Sequence, residues 1–361
     1  MAFNLPTLTA LAERTYNALN ANLKGADARL WPNNVAVSAK AMAGAVWEAF
    51  SFLDYISKQM LVHTATDPVW IQRHASEFGM GQLPASYATG NVDITGDPGI
   101  VVPAGLVFER ADGVRYDVIN SGTTDGSGEL TLPVRAQQPG KLGNAIAGVQ
   151  LTFTVPFDQI APESLVAAGG IGAGADPESM ESLRQRVLFR KRNPPHGGAA
   201  HDYVIWAREV AGVTRVFVDP VTSANERETI GVWFLMDDTY PTGVPQAADV
   251  VVVQDHIDGV KPAGAVVDVA APTAVSVAVT IGNLSPDTTA VRDAINAELR
   301  ALFRREVRVS TESDPFKLWR SLIIEAIANA TGEHHHTISA PASDVLYTAG
   351  QLPTLGTVTF T

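Results

Sequence analysis

The segment at residues 169–220 constrains the fold most, because glycines and prolines mark where its helices begin and end. A glycine-rich entry leads to Asp176, a residue type that caps helices, with Pro177 at the first helical position and Glu178 in the first turn. The run Asn-Pro-Pro-His-Gly-Gly at residues 193–198 cannot continue a helix. We therefore predict a flexible glycine entry, then one helix between the aspartate and this break.

A second helix and a strand follow the break and complete one unit. The second helix is predicted at residues 199–210, carries Tyr203 and Trp206, and leads into a strand at residues 213–218. The first helix has an apolar stripe at helical spacing, formed by Met180, Leu183, Val187 and Leu188.

Arg184 lies inside this apolar stripe, so we expect it to be partly buried. A buried guanidinium group requires a carboxylate or carbonyl partner. Glu181, three residues earlier, is one candidate, and a carboxylate on another subunit is the other. We interpret Arg184 as a structural clamp.

Taken together, the motifs of this unit resemble the central segment of the baseplate J-like family. A β-rich segment precedes them, and a Leu-Pro-x-Leu-Gly sequence at residues 352–356 stands before a last strand, so the resemblance covers roughly residues 90–361. The motifs are the glycine entry, Asp176 and Glu178, the Leu-Arg-x-Arg sequence with Arg184 and Arg186, the Pro-x-x-Gly-Gly sequence ending in Gly197 and Gly198, Asp202-Tyr203, Trp206, and residues 210–213 with the strand that follows.

The resemblance implies a structural, non-enzymatic wedge subunit of the baseplate of a contractile phage tail, of the Mu-like or P2-like kind, or of a tail-like particle. Such subunits pair within a wedge, clasp other wedge proteins through their helical parts, and join into a sixfold ring around the tail tube, with a sheath-linked protein as a further partner. A rearrangement of the wedges would trigger sheath contraction. The implied location is the virion tail baseplate, assembled in the host cytoplasm.

The helix predicted at residues 38–63 is apolar nearly all round. Seven apolar residues keep to one face, yet Trp47, Phe52 and Tyr55 fall well outside it. A first helix is predicted after Pro6, and a third helix is predicted to start at Asp67-Pro68 and to stop at Gly79. The helix at residues 38–63 is either covered by these two helices or contacts another subunit. The resemblance places the wedge clasp on this helix, with Trp47, Phe50, Phe52 and Tyr55. It places a rigid core around Arg184, Arg186, Tyr203 and Trp206.

The periodicities predict an α+β, multi-domain chain in four parts. Residues 1–85 form a helical segment, and residues 86–168 form a small antiparallel β domain, a sandwich or barrel with a hairpin at Asp112-Gly113. Residues 169–272 form the central helix–helix unit with an α+β domain. Residues 273–361 form a second sandwich-like α+β domain with helices at 287–307 and 314–331.

The composition narrows the classes of partner and site. A net charge of −12 argues against nucleic acid or an anionic membrane as the main partner. The absence of cysteine excludes disulfides and thiolate metal sites. The most apolar long run, residues 41–62, contains three charged residues, so we predict no membrane span.

Three groups of residues have types that can carry chemistry, but we predict no catalytic, metal or cofactor site. The G-x-G-x-x-A sequence from Gly170 lacks the preceding strand and later acidic residue of a dinucleotide site. Among three adjacent histidines, only His334 and His336 face one side of a strand, and neither belongs to an H-E-x-x-H signature. Adjacent Asp237 and Asp238 are expected to diverge.

An alternative function is a peripheral tail protein that binds a receptor or a carbohydrate through the β domain. Such proteins often expose aromatic side chains on a β surface. The β segment at residues 90–155 contains no tryptophan and only Phe108, Tyr116 and Phe153 as aromatic residues. This composition weighs against sugar stacking.

Overall fold

A computed structural model of the protein describes residues 5–25, 27, 34–222 and 229–361. These residues form two compact units: the first holds the chain up to Gly81 together with Leu183–Phe189, and the second holds Gln82–Ser182 and Arg190–Thr361. The predicted α+β class, with a helical segment, a small β domain and mixed α/β parts, is confirmed. No helix in the described ranges has the length and hydrophobicity that crossing a membrane requires.

The first unit is helical. Its elements are α1 (Leu8–Asn22), α2 (Asn34–Gln59), α3 (Pro68–Ser76) and the middle of α4 (Met180–Arg192). Polar side chains define two of the helix starts: the Thr7 hydroxyl accepts the Ala10 N–H at 3.2 Å, and the Asp67 carboxylate accepts the Val69 N–H at 2.8 Å. Leu183 and Val187 of α4 are fully buried, as the predicted stripe requires.

The second unit begins with a closed, six-stranded antiparallel barrel in the order β1-β6-β4-β3-β7-β8. The predicted hairpin at Asp112-Gly113 joins β3 and β4. Buried apolar side chains such as Phe108, Leu132 and Ile171 fill the interior. The strands are β1 (Thr89–Thr95), β2 (Val101–Val102), β3 (Val107–Arg110), β4 (Arg115–Val118), β5 (Gly122–Thr123), β6 (Glu129–Ala136), β7 (Gln150–Phe153) and β8 (Glu163–Gly172).

The glycine entry is not a flexible linker, as the sequence suggested; most of it belongs to β8, which closes the barrel on β1. Gly90 lies opposite Ile171, and Val92 opposite Val166, so β8 carries extra residues between these two pairs. Gly169 and Gly170 lie in this irregular stretch with φ values of 108° and 75°, which favour glycine. Local composition therefore resembled a linker, whereas strand pairing over a long sequence distance determines the structure.

The start of α4 also differs from the prediction, because the helix begins at Met180 rather than after Asp176. The Ser179 hydroxyl, not Asp176, accepts the N–H of Ser182 at 3.1 Å. The Asp176 carboxylate accepts the Lys141 N–H at 3.1 Å, and the Glu178 carboxylate accepts the Leu83 N–H at 3.1 Å. Both acidic groups therefore bind distant backbone, and this outweighs their local preference for a helix start.

The middle of the second unit is a three-stranded sheet in the order β11-β10-β9, with β10 antiparallel to β9 and parallel to β11. Helices α5 and α6 pack on it. The core between the sheet and these helices contains the fully buried residues Phe234, Met236, Val253 and Ile257. The elements are α5 (Ala200–Ala207), β9 (Arg215–Thr222), β10 (Thr229–Leu235), α6 (Ala247–Val260) and β11 (Val266–Ala270).

The last part contains a second three-stranded sheet in the order β14-β12-β16 under two helices. The helix predicted at 314–331 is shorter than expected, because Lys317 and Leu318 pair with β15 before α8 starts. Ile295, Leu299 and Ile323 belong to the core. The elements are β12 (Thr273–Ser285), α7 (Thr289–Glu306), β13 (Lys317–Leu318), α8 (Arg320–Ala328), β14 (His335–Ala340), β15 (Val345–Leu346) and β16 (Gln351–Phe360).

Candidate protein interface

The large apolar side chains of α2 remain exposed within the described part of the first unit. Phe52 is 62% exposed and Leu53 60%, while Trp47 is 41% and Tyr55 37% exposed; Met60, which directly follows α2, is 64% exposed. Monomeric proteins seldom leave so many large apolar side chains on one helix in water. We call the exposed residues Met42, Val46, Trp47, Phe52, Leu53, Tyr55 and Met60 the α2 surface.

The buried face of α2 explains this exposure. Its fully buried apolar positions are Ala36, Ala39 and Ala43, and α1 packs on α2. Small side chains allow α1 to approach closely, and the larger residues point elsewhere. Of the predicted interface residues, Phe50 is half-buried, whereas Trp47, Phe52 and Tyr55 are exposed. The first and third helices therefore cover the aromatic side chains of α2 only in part and leave most of Phe52 exposed.

Hydrogen bonds fix the end of α2 against α3. The Tyr55 hydroxyl donates to the Asp67 carboxylate at 2.5 Å, and this bond raises the pKa of Tyr55 and lowers that of Asp67. The side chain of Gln59, which is fully buried, accepts the N–H groups of Thr66 and Asp67 at 2.9 and 3.0 Å. The α2 surface is thus held on a rigid element, and sequence reasoning missed Gln59.

Arg184 and Arg186 bind backbone carbonyl groups within the first unit. Arg184, which is half-buried, donates to the Ala65 carbonyl oxygen, so a carbonyl partner is present as the sequence required. Arg186 is buried and donates to the Gly81 carbonyl oxygen at 3.4 Å. Both guanidinium groups therefore join α4 to the segment that follows α2.

The Pro-x-x-Gly-Gly sequence is organised by Asp202, a buried carboxylate in the first turn of α5. Asp202 accepts the N–H groups of Gly198 at 2.8 Å, Ala199 at 3.0 Å and His196 at 3.1 Å. Burial acts to raise the pKa of this carboxyl group, but the three N–H donors outweigh burial and leave the pKa below its ordinary value. Gly197 has φ of 74°, which the turn requires.

Tyr203 and Trp206 lie on the same helix as this carboxylate. Tyr203 is buried, and its ring meets the half-buried ring of Trp206 edge to face, with centroids 4.9 Å apart. The two rings belong to the core of the central sheet, with Tyr203 on its buried side. This placement suits a rigid framework better than a direct contact surface.

Two further buried carboxylates were missed from the sequence. Asp249, in the first turn of α6, accepts the Gln246 N–H at 2.7 Å and the Tyr240 hydroxyl at 2.7 Å, and its burial raises its pKa. Asp219, within β9, is fully buried and accepts the N–H of Glu312 at 2.6 Å. The signal for Asp249 was its position three residues after a helix cap, as for Asp202.

The expectation that the G-x-G-x-x-A sequence lacks a preceding strand is wrong, because β8 runs directly into Gly170, although the later acidic residue is still absent. The histidines and the adjacent aspartates form internal contacts. His336 bonds Glu333 at 3.0 Å. Asp237 and Asp238 diverge, because Asp237 forms a two-pronged pair with Arg215 and Asp238 binds Arg304. Across the described ranges, no group of three or more histidine, aspartate or glutamate side chains is arranged to hold a metal ion.

Three family models match consecutive parts of the chain. The Baseplate J-like protein barrel domain matches residues 91–170, the Baseplate J-like central domain matches residues 195–271, and the Baseplate J-like protein C-terminal domain matches residues 275–361. The first of these ranges contains most of the closed barrel described above.

Several known proteins are similar over most of the chain. Baseplate protein gp47 of Escherichia phage Mu is 31% identical over 368 residues, which cover 99% of both chains. Mu-like prophage FluMu protein gp47 of Haemophilus influenzae is 29% identical over 371 residues, again 99% of both. Putative protein JayE of Escherichia coli is 35% identical over 264 residues, 73% of this chain and 96% of that one.

Among solved structures, the chain is similar to one from the cryo-EM structure of the anti-feeding prophage baseplate. The similarity covers 99% of this chain and 100% of the other, at 10% sequence identity and a TM-score of 0.41.

Proposed function

Because the chain belongs to the baseplate J-like family and is a structural protein of a phage tail baseplate, we propose that it acts there as a wedge subunit. In this role it pairs with a second copy within a wedge, binds other wedge proteins and a sheath-linked protein, and contributes to a sixfold ring around the tail tube. Rearrangement of these contacts then releases sheath contraction.

The observation that carries this proposal is the α2 surface. A buried aromatic side chain removes about 150–250 Å² from water, and each Å² of apolar area contributes about 25 cal/mol. Covering Trp47, Phe52 and Tyr55 in a complex therefore contributes several kcal/mol. An exposed, apolar helix end held rigid by Gln59 fits a permanent interface with another helical subunit.

The alternative of a receptor- or carbohydrate-binding tail protein finds less support in the barrel. Phe108 and Tyr116 are fully buried inside it, and burial raises the pKa of Tyr116 to about 12. Phe153 is half-buried against Phe108, with ring centroids 4.3 Å apart. These three rings are therefore poorly placed to stack on a sugar.

Deleting the gene from its source genome separates the two functions. A wedge subunit is required for assembly, so we expect heads to accumulate without complete baseplates or sheathed tails in electron micrographs. Complete contractile particles that fail to adsorb would instead support the peripheral tail protein.

Replacing Phe52 and Leu53 together by serine is expected to abolish incorporation of the chain into baseplates. Both side chains are more than half exposed, so we expect the free energy of unfolding of the isolated chain to fall by less than about 1 kcal/mol. The measurement is complementation of the deletion with the double variant, followed by electron microscopy and immunoblotting of purified particles.

Leu346→Ser is the matched control, because this leucine is 67% exposed in the second unit and lies outside the α2 surface. Normal baseplates assembled with the double variant would show that the α2 surface is not the wedge contact.

A further inference from the structure

Each of the two three-stranded sheets of the second unit has one edge strand whose backbone groups are bonded by a side chain. At β11, the Gln254 side chain donates to the Val267 carbonyl at 3.2 Å and accepts the Val269 N–H at 2.9 Å. At β14, Arg320 donates to the carbonyl oxygens of Ile338 at 2.8 Å and Pro341 at 3.0 Å. Side chains therefore occupy backbone groups that an incoming strand would use.

The edge strand β16 is covered only at its start, where the Ser310 N–H donates to the Gln351 carbonyl oxygen at 2.9 Å; across the described residues, no side chain donates to or accepts from the rest of its free edge. It pairs with β12 on one side only and is ten residues long. A groove of about 470 Å³ runs beside it, between residues 352–358 of β16, the second half of α7 and the start of β9. A long edge strand beside an open groove is the arrangement that accepts a further strand.

The groove carries an excess of positive charge in an acidic chain. Arg215 is paired with Asp237 at 2.7 Å, and Arg304 is paired with Asp238. Arg300, which is exposed and also lines the groove, forms no ion pair with any residue in the described ranges. The guanidinium group of Arg300 therefore favours a carboxylate on a segment that enters the groove.

Two features of β16 limit how long an added strand can be. Pro353 has no N–H to donate, and residues 356–357 form a bulge, because Leu355 pairs with Val277 but Val358 pairs with Val279. The run available for backbone hydrogen bonds is therefore short. Contact with Arg300 then contributes a large share of the binding.

We propose that this groove binds an extended, acidic segment of another protein chain, which adds a short strand to β16 and places a carboxylate on Arg300. The inference rests on the proposed function, in which the chain is one subunit of a multi-protein assembly. A second copy of β16 is disfavoured as the occupant, because symmetric pairing would bring Arg300 and Arg304 close to their own copies.

The test uses the full chain and a short fluorescent peptide in which glutamate alternates with valine. Fluorescence anisotropy is measured for the native chain, for Arg300→Glu and for Arg305→Glu. Arg305 is the matched control, because it lies on the same helix, pairs with Glu306 and does not line the groove. Two further peptides carry lysine in place of glutamate, or N-methyl groups at alternate backbone nitrogens.

We expect saturable binding of the acidic peptide, about tenfold weaker binding to Arg300→Glu, and unchanged binding to Arg305→Glu. The lysine peptide is expected not to bind, and N-methylation on the side that faces β16 is expected to abolish binding. Equal binding of the acidic and lysine peptides, no saturable binding, or equal effects of the two arginine variants would overturn the inference. So would a dimer of the native chain that competes with the peptide.

The peptide experiment and the gene deletion can fail separately. Complete tails in the deletion strain would reject the proposed function, whatever the peptide does. If baseplates are missing in that strain and the peptide fails to bind, the proposed function stands and only the proposal of peptide binding in the groove is rejected.

Discussion

Replacing Gly90 by alanine is expected to lower the free energy of unfolding of the barrel by about 3 kcal/mol. A Cβ atom at this position would lie 2.4 Å from the Gly170 carbonyl oxygen and 2.7 Å from the Ile171 Cα atom. Both contacts are with backbone of β8, so a rotamer change cannot relieve them. The strands must separate at the seam that closes the barrel.

Gly126→Ala is the matched control, because a Cβ atom there meets nothing within 4 Å. Urea denaturation followed by circular dichroism gives the stabilities, and hydrogen exchange of the amides of β1 and β8 locates the change. We expect faster exchange at these two strands in Gly90→Ala and at neither strand in the control. Equal stability of the two variants would show that the seam tolerates a side chain.

Replacing Asp202 by alanine is expected to cost about 3 kcal/mol at neutral pH. The substitution leaves the buried N–H groups of Gly198, Ala199 and His196 without their common acceptor, and each unsatisfied donor costs about 1–3 kcal/mol when no water replaces it. Tyr203 follows directly on α5, so the loss extends to the packing of the central sheet. Asp255→Ala, an exposed carboxylate on α6, is the control and is expected to be near neutral.

The contribution of Asp202 to stability depends on pH, because the pKa of this carboxyl group is lowered in the folded state. A carboxyl group whose pKa is lower in the folded state contributes stability above its unfolded value, near 3.9, and loses that contribution as the pH falls through the folded value. The difference in stability between the native chain and Asp202→Asn should therefore narrow below about pH 4. Urea midpoints between neutral pH and pH 3 measure it, and a constant difference would contradict this role.

Local patterns predicted the elements that rest on local interactions. The start of α3 at Asp67-Pro68, the hairpin at Asp112-Gly113 and the stripe of Leu183 and Val187 each depend on residues within a few positions. The repeated helical and alternating patterns also predicted the α+β class. The domain boundaries and the interface roles of the named residues stay predictions.

The elements that were predicted wrongly depend on contacts with residues distant in sequence. β8 is a strand because it pairs with β1 some 80 residues earlier, and its glycines alone indicate a linker. Asp176 and Glu178 are residue types typical of a helix start, yet their carboxylates accept the backbone N–H groups of Lys141 and Leu83 instead. The α2 surface was left open between two alternatives, because periodicity does not say which side of an apolar helix α1 will cover.

The first unit is built from two separate parts of the chain, so the ribosome synthesises α4 well after α1–α3. The carbonyl oxygens of Ala65 and Gly81 can accept hydrogen bonds from Arg184 and Arg186 only after the whole barrel has left the ribosome. At about 5–20 residues per second, the helical segment waits on the order of 5–20 s for the helix that completes it. During that interval the nascent chain presents α1–α3 without α4, so a chaperone or an early partner has a defined period in which to bind them.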